Sequence, residues 1–413
     1  MKYRGIIIRA AKIVAKSVGV LLLVALLAIV VTSPSPIYRF AEPQPFSGDD
    51  IFDPYHNISP NTKWARANFH THTRVEGPLN ECEYTPEQTL AEYKRYGYNI
   101  VTFSNHNLIT EHPEPELYVS LYEHGYNLLK YHKLTFGSSE VLHFDHLVPL
   151  LASQKQWQIA LLSKRSDLVQ LNHPLRTPTL GHEQLTKLSG YNLIELDSGK
   201  STENSYWDAA LSAGHYVFGT AGDDLHKPDR SGAIAVRCTM LNTPLSHHSN
   251  LLDTASASYP ELLATLRSGA FYSMRTPDYG NGDWNVKEQM NTSLPYIEDI
   301  GAHGDSIYIR LSDMADSIRF TSDGGRCVAL MTNAAEASYR MNDEDSYVRI
   351  AAFMPRGEVI YSNPFARYNA ATEDSPYDGS LPEVSVALTI LFNAALLLIA
   401  MLLLALIYKL IKL

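Results

Sequence analysis

Between residues 70 and 226, histidines and carboxylates recur in short clusters whose chemistry suits transition metals. His70-Thr71-His72 comes first, then Ser104-Asn105-His106-Asn107, then Glu140 and His146 within GSSEVLHFDHL. His173-Pro174-Leu175-Arg176, Glu195 and Asp224-Leu225-His226 follow. Imidazole nitrogens and carboxylate oxygens are good ligands for Zn, Mn or Fe. One four-coordinate ion cannot use so many groups, which implies two or three ions. Ions roughly 3.5–4 Å apart can share a bridging carboxylate and a bridging hydroxide, a ready nucleophile near neutral pH. A lone H-x-H or D-x-H carries little information; the joint pattern carries much more. His112, His124, His132, His182 and the pair His247-His248 are expected as core or solvent-facing histidines.

Each cluster follows an apolar run of strand type: Ala65–Phe69 before His70, Asn99–Phe103 before His106, Leu168–Leu171 before His173. Asn192–Leu196 ends on the Glu195 cluster, and Tyr216–Thr220 precedes Asp224. Further strands are expected at Lys133–Phe136, Leu147–Leu151, Gly232–Met240 and Ala270–Met274. Helices are expected from Thr85 to Gly97, around Glu116–Lys130, and at Leu180–Leu188, Ser205–Ala213 and Pro260–Arg267. The first opens Thr85-Pro86-Glu87-Gln88, a capping box with proline at the first helical position. Alternating strands and helices imply a largely parallel α/β sheet, barrel or doubly wound. In a barrel, residues just past the strands converge on one rim. Beyond residue 281 the texture becomes short β runs separated by Asp, Gly, Asn and Pro, which reads as a small antiparallel β-sandwich-like domain over 281–370.

The two ends differ from the rest. Residues 1–33 carry Lys2, Arg4, Arg9, Lys12 and Lys16 and then an apolar core; residues 384–408 form a second apolar run, closed by Lys409 and Lys412 in the tail 409–413. Both are expected to cross a bilayer as helices, with Lys16 snorkelling to the headgroups. No small-x-small cleavage site follows the first run, so it reads as an uncleaved anchor rather than a signal peptide. Polar linkers, 34–63 and 371–383, lead on and off the membrane, leaving 64–280 as the metal-binding barrel. Basic flanks at both ends place both termini in the cytoplasm and the body outside it. Setting those seven basic residues aside leaves 27 Lys and Arg against 44 Asp and Glu, a balance of −17. Such a body repels polyanions, which argues against nucleic acid as a partner. Cys82, Cys238 and Cys327 form no CxxC and no disulfide framework.

Over about residues 64–275 these motifs, in their order, resemble the PHP (polymerase and histidinol phosphatase) family of metal-dependent hydrolases. His70-Thr-His72-Thr73 is similar to its opening motif, Ser104-Asn105-His106-Asn107 to its second, His173-Pro174 to its H-P and Asp224-Leu225-His226 to its closing D-x-H. The resemblance implies a distorted (β/α)7 barrel holding a di- or trinuclear centre. It would place one metal on His70, His72, Glu140 and Asp224, a second on Glu140, His146 and His173, and a third on His106, His226 and Glu76. His143 competes with His146. Glu76-Gly77 stands in for the family's Asp-Gly, and Asn105 for an Asp. The expected activity is hydrolysis of phosphate esters, on a phosphorylated small molecule or an envelope component. Glu140 would bridge the metals, and Arg176 would clamp phosphate with its planar fork. Lys227, Arg230 and Arg74 are its alternatives. Amide or lactone hydrolysis, or metal or ligand binding without catalysis, are the competing readings.

Overall fold

The structure, a computed structural model, describes residues 2–58, 63–77, 80–114, 119–197, 204–227, 234–242 and 259–412. Helix α1 (Lys2–Val31) contains a 26-residue apolar span, about 39 Å long at the usual helical rise and enough to cross a bilayer. After it come the short strands β1 (Tyr38–Arg39) and β2 (Asp50–Phe52), then β3 (Ala65–Asn68). Helix α2 (Pro86–Arg95) starts on the expected capping box: Thr85 and Gln88 exchange side-chain and backbone hydrogen bonds of 2.9 and 3.3 Å. It stops before Gly97, whose φ of +77° suits a residue without Cβ.

Strand β4 (Ile100–Val101) is followed by β5 (Leu121–His124) and β6 (Lys133–Phe136), an antiparallel pair. A helix was the expectation around Glu116–Lys130. Residues 115–118 lie outside the described residues, and 121–124 are strand. All four residues of β5 are buried, so neighbours on both sides decide against the helical period. Leu147–Leu151, expected as strand, instead leads into an unforeseen helix α3 (Ala152–Leu162). There follow β7 (Leu168–Leu171), the short α4 (His182–Leu185), β8 (Leu193–Glu195), α5 (Ser205–Ser212) and β9 (Phe218–Thr220). Then come β10 (Arg237–Leu241), α6 (Tyr259–Ser268), β11 (Phe271–Arg275) and α7 (Trp284–Asn291).

The remaining strands are β12 (Ile297–His303), β13 (Ser306–Ser322), β14 (Arg326–Arg340), β15 (Tyr347–Phe353), β16 (Val359–Ser362), β17 (Phe365–Tyr368) and β18 (Glu383–Val384), before helix α8 (Val386–Lys412). Only short β runs are expected beyond residue 281, but residues 306–322 form the single long β13.

The fold is mixed α/β with several open sheets. One sheet runs β5-β6-β7-β8-β9, parallel only from β7 to β9. An eleven-stranded sheet contains β3, β4, β10 and β11 and continues through β16 into β12–β15, so residues 281–370 are sheet-continuous with the residues before them. No closed (β/α)7 barrel forms among the described residues; the two sheets meet through single-residue bridges, Thr71 to Leu225 and His106 to Glu123. A core of Ala65, Ala67, Leu134, Phe136, Val169 and Leu171 with their neighbours fills the space behind that junction.

The two apolar helices fit a membrane anchor and pack antiparallel. Lys16 donates to the Ile411 carbonyl at 2.9 Å, and Gly19 lies against Leu410, a small residue where the helices approach. At the other end Ser35 and Asn393 exchange hydrogen bonds of 3.2 and 3.1 Å, and β1 pairs with β18. Both chain ends therefore lie at one end of the helix pair and the body at the other.

Candidate metal centre

The sheet junction gathers the chemistry. Just past β3, the His70–His72 segment is laced to the segment after β9: Asp224 N–H donates to His70 O, and His72 N–H to Leu225 O, both at 2.8 Å. Past β4, His106 bridges to Glu123 on β5, and Asn107 N–H donates to Glu123 O at 2.8 Å. The β5–β6 hairpin then sets His132, the residue before β6, beside Glu123. His173 follows β7, and Glu195 ends β8. His173 and Asp224 adopt φ of +26° and +49°, a left-handed backbone that costs roughly 1–3 kcal/mol outside glycine and is kept where surroundings enforce it.

Glu123, 1% exposed, is the centre of the arrangement. Its Oε1 lies 3.3 Å from His70 Nε2, 3.2 Å from His132 Nδ1 and 3.3 Å from His173 Nε2. Its Oε2 lies 3.4 Å from His72 Nε2 and 3.3 Å from His106 Nε2. Asp224 Oδ1 is 3.2 Å from His70 Nε2 and 3.3 Å from His72 Nε2. Glu81 Oε2 is 3.3 Å from His106 Nε2 and 3.1 Å from His226 Nε2. Hydrogen bonds of this type cluster near about 2.9 Å. An ion held tetrahedrally at about 2.0–2.1 Å separates its ligand atoms by about 3.3–3.4 Å, as found here. Shorter hydrogen bonds surround the ring of ligands: His70 Nδ1 to Glu195 Oε1 at 2.7 Å, His173 N–H to Glu195 Oε2 at 2.8 Å, and Asn172 Nδ2 to Glu123 Oε1 at 2.8 Å. His70 Nε2 and His72 Nε2 are buried and satisfied by no hydrogen bond. Three groups result, His70-His72-Glu123-Asp224, His106-Glu123-His132 and His72-Glu81-His106-His226, each with ligand atoms within 4.8 Å of one another. These groups, the third of which opens to solvent at Glu81 and His226, are compatible with divalent metal binding.

The electrostatics agree. Burial opposes charging His72, yet the carboxylates of Asp224 and Glu123 beside it outweigh that and hold its pKa up at about 9. His70 is likewise raised well above the ordinary range, by Glu195, Asp224 and Glu123 against burial. His106 is pushed down to about 4, by burial and then by His72 and His132, which outweigh the pull of Glu123. Burial favours the neutral carboxyls of Glu123 and Asp224, but the surrounding imidazoles hold both well below the usual carboxylate range. Three carboxylates thus draw positive charge into a buried site, and a cation supplies it while leaving the imidazole lone pairs free to bind.

His70, His72, His106, His173, Asp224 and His226 converge as the motifs predict. Three expected ligands do not. Glu140 is surface-exposed and pairs with Arg165 at 3.2 Å; Glu123 holds the central place expected of it. His146 is buried elsewhere, its Nδ1 2.6 Å from Thr32 O, and His132 takes its role. His143 is exposed. Glu76 lies at the surface, and Glu81, five residues on, faces His106 and His226 instead. Arg176 is held at the cluster through an ion pair with Asp224. Arg74 and Lys227 are exposed, and Arg230 lies outside the described residues. Asn105 clamps Thr73, its Oδ1 accepting from Thr73 N–H at 2.8 Å and its Nδ2 donating to Thr73 Oγ1 at 2.7 Å, so it orders the H-x-H segment rather than His106. The missed signal was the alternation Val119, Leu121, Glu123 ending at Gly125, a strand and turn facing His132 and β6.

Compared with known protein families and with curated proteins, the chain matches none.

Proposed function

We propose that the chain is a membrane-anchored, metal-dependent phosphoesterase of PHP type, with up to three metal positions, two of which would share Glu123. The single supporting observation is the convergence of five imidazoles on one buried carboxylate at 3.2–3.4 Å. The seven strands β3 to β9, joined at their two seams by the Thr71–Leu225 and His106–Glu123 bridges, fit a distorted and incompletely hydrogen-bonded (β/α)7 barrel.

Zn, Mn or Fe ions held here would polarise phosphoryl oxygens and lower the pKa of water toward neutrality. The chain's own groups prepare that site. Glu195 fixes the Nδ1–H tautomer of His70 and so turns its Nε2 lone pair inward. Asn172 orients Glu123. Arg176, poised on Asp224, offers its fork to a phosphate oxygen, a contact whose loss typically costs about 10²–10³ in rate. His226 and Glu81, the most solvent-accessible members, mark the mouth where substrate enters.

Purified full-length protein supplied with Mn or Zn is expected to release phosphate from mono- or diesters, and His70→Ala to abolish release. No release from a preparation that retains bound metal would turn the reading toward amide or lactone hydrolysis, or toward binding alone. The basic chain ends, grouped at one end of the helix pair, put the body on the extracytoplasmic side by the positive-inside rule. Reporter fusions at either terminus that are active outside the cytoplasm would overturn that side assignment.

A further inference from the structure

The body does not hang loosely from its anchor. Where α1 ends, Thr32 O meets His146 Nδ1 at 2.6 Å and Thr32 Oγ1 accepts from Leu147 N–H at 3.3 Å. Gln154 Nε2 donates to Ser33 O at 3.0 Å while its Oε1 accepts from the N–H groups of Leu150 and Leu151. These bonds pin the loop 142–151 to the point where a membrane-crossing helix emerges. That loop turns Phe144, Leu150 and Leu151 outward, and Leu128, 68% exposed, is tied to it by its N–H to Leu147 O at 3.0 Å. Trp157 packs beside Phe144, ring centroids 4.8 Å apart, in the manner of an interfacial aromatic. Exposed leucines scattered singly are ordinary. Here they occupy two loops bonded to each other and to the end of a membrane helix, with the cation of Lys130 exposed beside them.

The same loops reach the metal centre. Asp145 Oδ2 accepts from Tyr126 N–H at 2.9 Å, and Tyr126 O–H donates to His106 O at 2.7 Å with its ring 5.4 Å from that imidazole. An unbroken chain of bonds therefore runs from Thr32 through His146, Asp145 and Tyr126 to His106.

We propose that Leu128, Phe144, Leu150 and Leu151 sit in the headgroup–acyl boundary of the bilayer, and that the substrate is a phosphate ester carried on a membrane lipid. The phosphate reaches the cluster past Tyr126 while the hydrocarbon stays in the membrane. Hydrolysis joins a water oxygen to phosphorus and breaks the P–O bond to the lipid. The leaving oxygen takes up the proton that water gives up, so a lipid alcohol and a phosphate are the products. This substrate class rests on the phosphoesterase reading; the placement of the loops does not.

Two measurements on full-length protein in phosphatidylcholine vesicles separate the two. Nitroxide labels at Leu128→Cys and Leu150→Cys, in a Cys327→Ser background that leaves Cys82 and Cys238 buried, are expected to meet oxygen more readily than an aqueous nickel chelate. A label at the exposed Asp343→Cys should show the opposite preference. With Mn added, a Leu128→Asp/Leu150→Asp protein of normal metal content should hydrolyse vesicle-borne phosphatidic acid about tenfold more slowly, yet cleave p-nitrophenyl phosphate within about twofold of the native rate. Labels found in water, or equal losses on both esters, would overturn the proposal. A metal-bearing native protein that cleaves neither ester would defeat the phosphoesterase reading itself, and the lipid substrate with it.

Discussion

Two stretches less than twenty residues apart hold the same kinds of side chain and have opposite fates. The β5–β6 hairpin carries Glu123 and His132; the loop after it carries Glu140, His143 and His146. Glu123 is sealed among imidazoles, its backbone fastened to Asn105 and Asn107 and its carboxylate steered by Asn172. Glu140 stands two-thirds exposed with Arg165 as its neighbour, and His146 spends its Nδ1 on the anchor helix. Ligand-type residues alone do not make a metal site. A carboxylate does so when strands crowd it with lone pairs in a place water cannot reach, because a cation is then the cheapest way to balance the charge.

That contrast can be broken experimentally. Replacing Glu123 with Ala should lower phosphoester hydrolysis by about 10³ or more, since the two ligand groups that contain it lose their shared member, whereas Glu140→Ala should leave the rate within about twofold. His132→Ala is expected to cost about 10² in rate by removing one ligand. His146→Ala should spare hydrolysis of soluble esters but lower stability by about 1–3 kcal/mol through the lost buried hydrogen bond, read by denaturant melts. Glu195→Gln, which alters the outer contacts of His70 and of the His173 N–H, should weaken metal affinity about 10–100-fold in a competition titration. Stripping metal with a chelator should lower the Tm of the native protein by several degrees and that of Glu123→Ala by clearly less, because the variant has less binding energy to lose. Arg165→Ala, at the other end of the scale, removes a surface ion pair worth about 0–1 kcal/mol and should change neither melting nor activity measurably.

What was readable in the chain follows from the same physics. His70, His72, His106, His173 and Asp224 could be read because each stands just past a short apolar run with a motif of its own. The capping box at Thr85 and the two membrane-length helices were readable for similar local reasons. Glu123 and His132 were hidden: Leu117, Leu121, His124 and Leu128 mimic a helical period, while the strand pairing that overrides it is not a local property. With a helix expected over 116–130, the resemblance to the PHP motifs falls on Glu140 and His146 instead. The sheet openness and the merging of residues beyond 281 into the large sheet also depend on long-range pairing, above all of β11 with β16. Nor could the sequence show that His146 would be claimed by Thr32, more than a hundred residues earlier.

The most direct test is the metal content of three purified full-length proteins after loading with Mn or Zn and desalting. The native protein and Glu140→Gln should retain the same two or three ions per chain, and Glu123→Gln should retain at most one. Full metal content in Glu123→Gln together with a loss in Glu140→Gln would contradict the account and return the bridging role to the exposed loop.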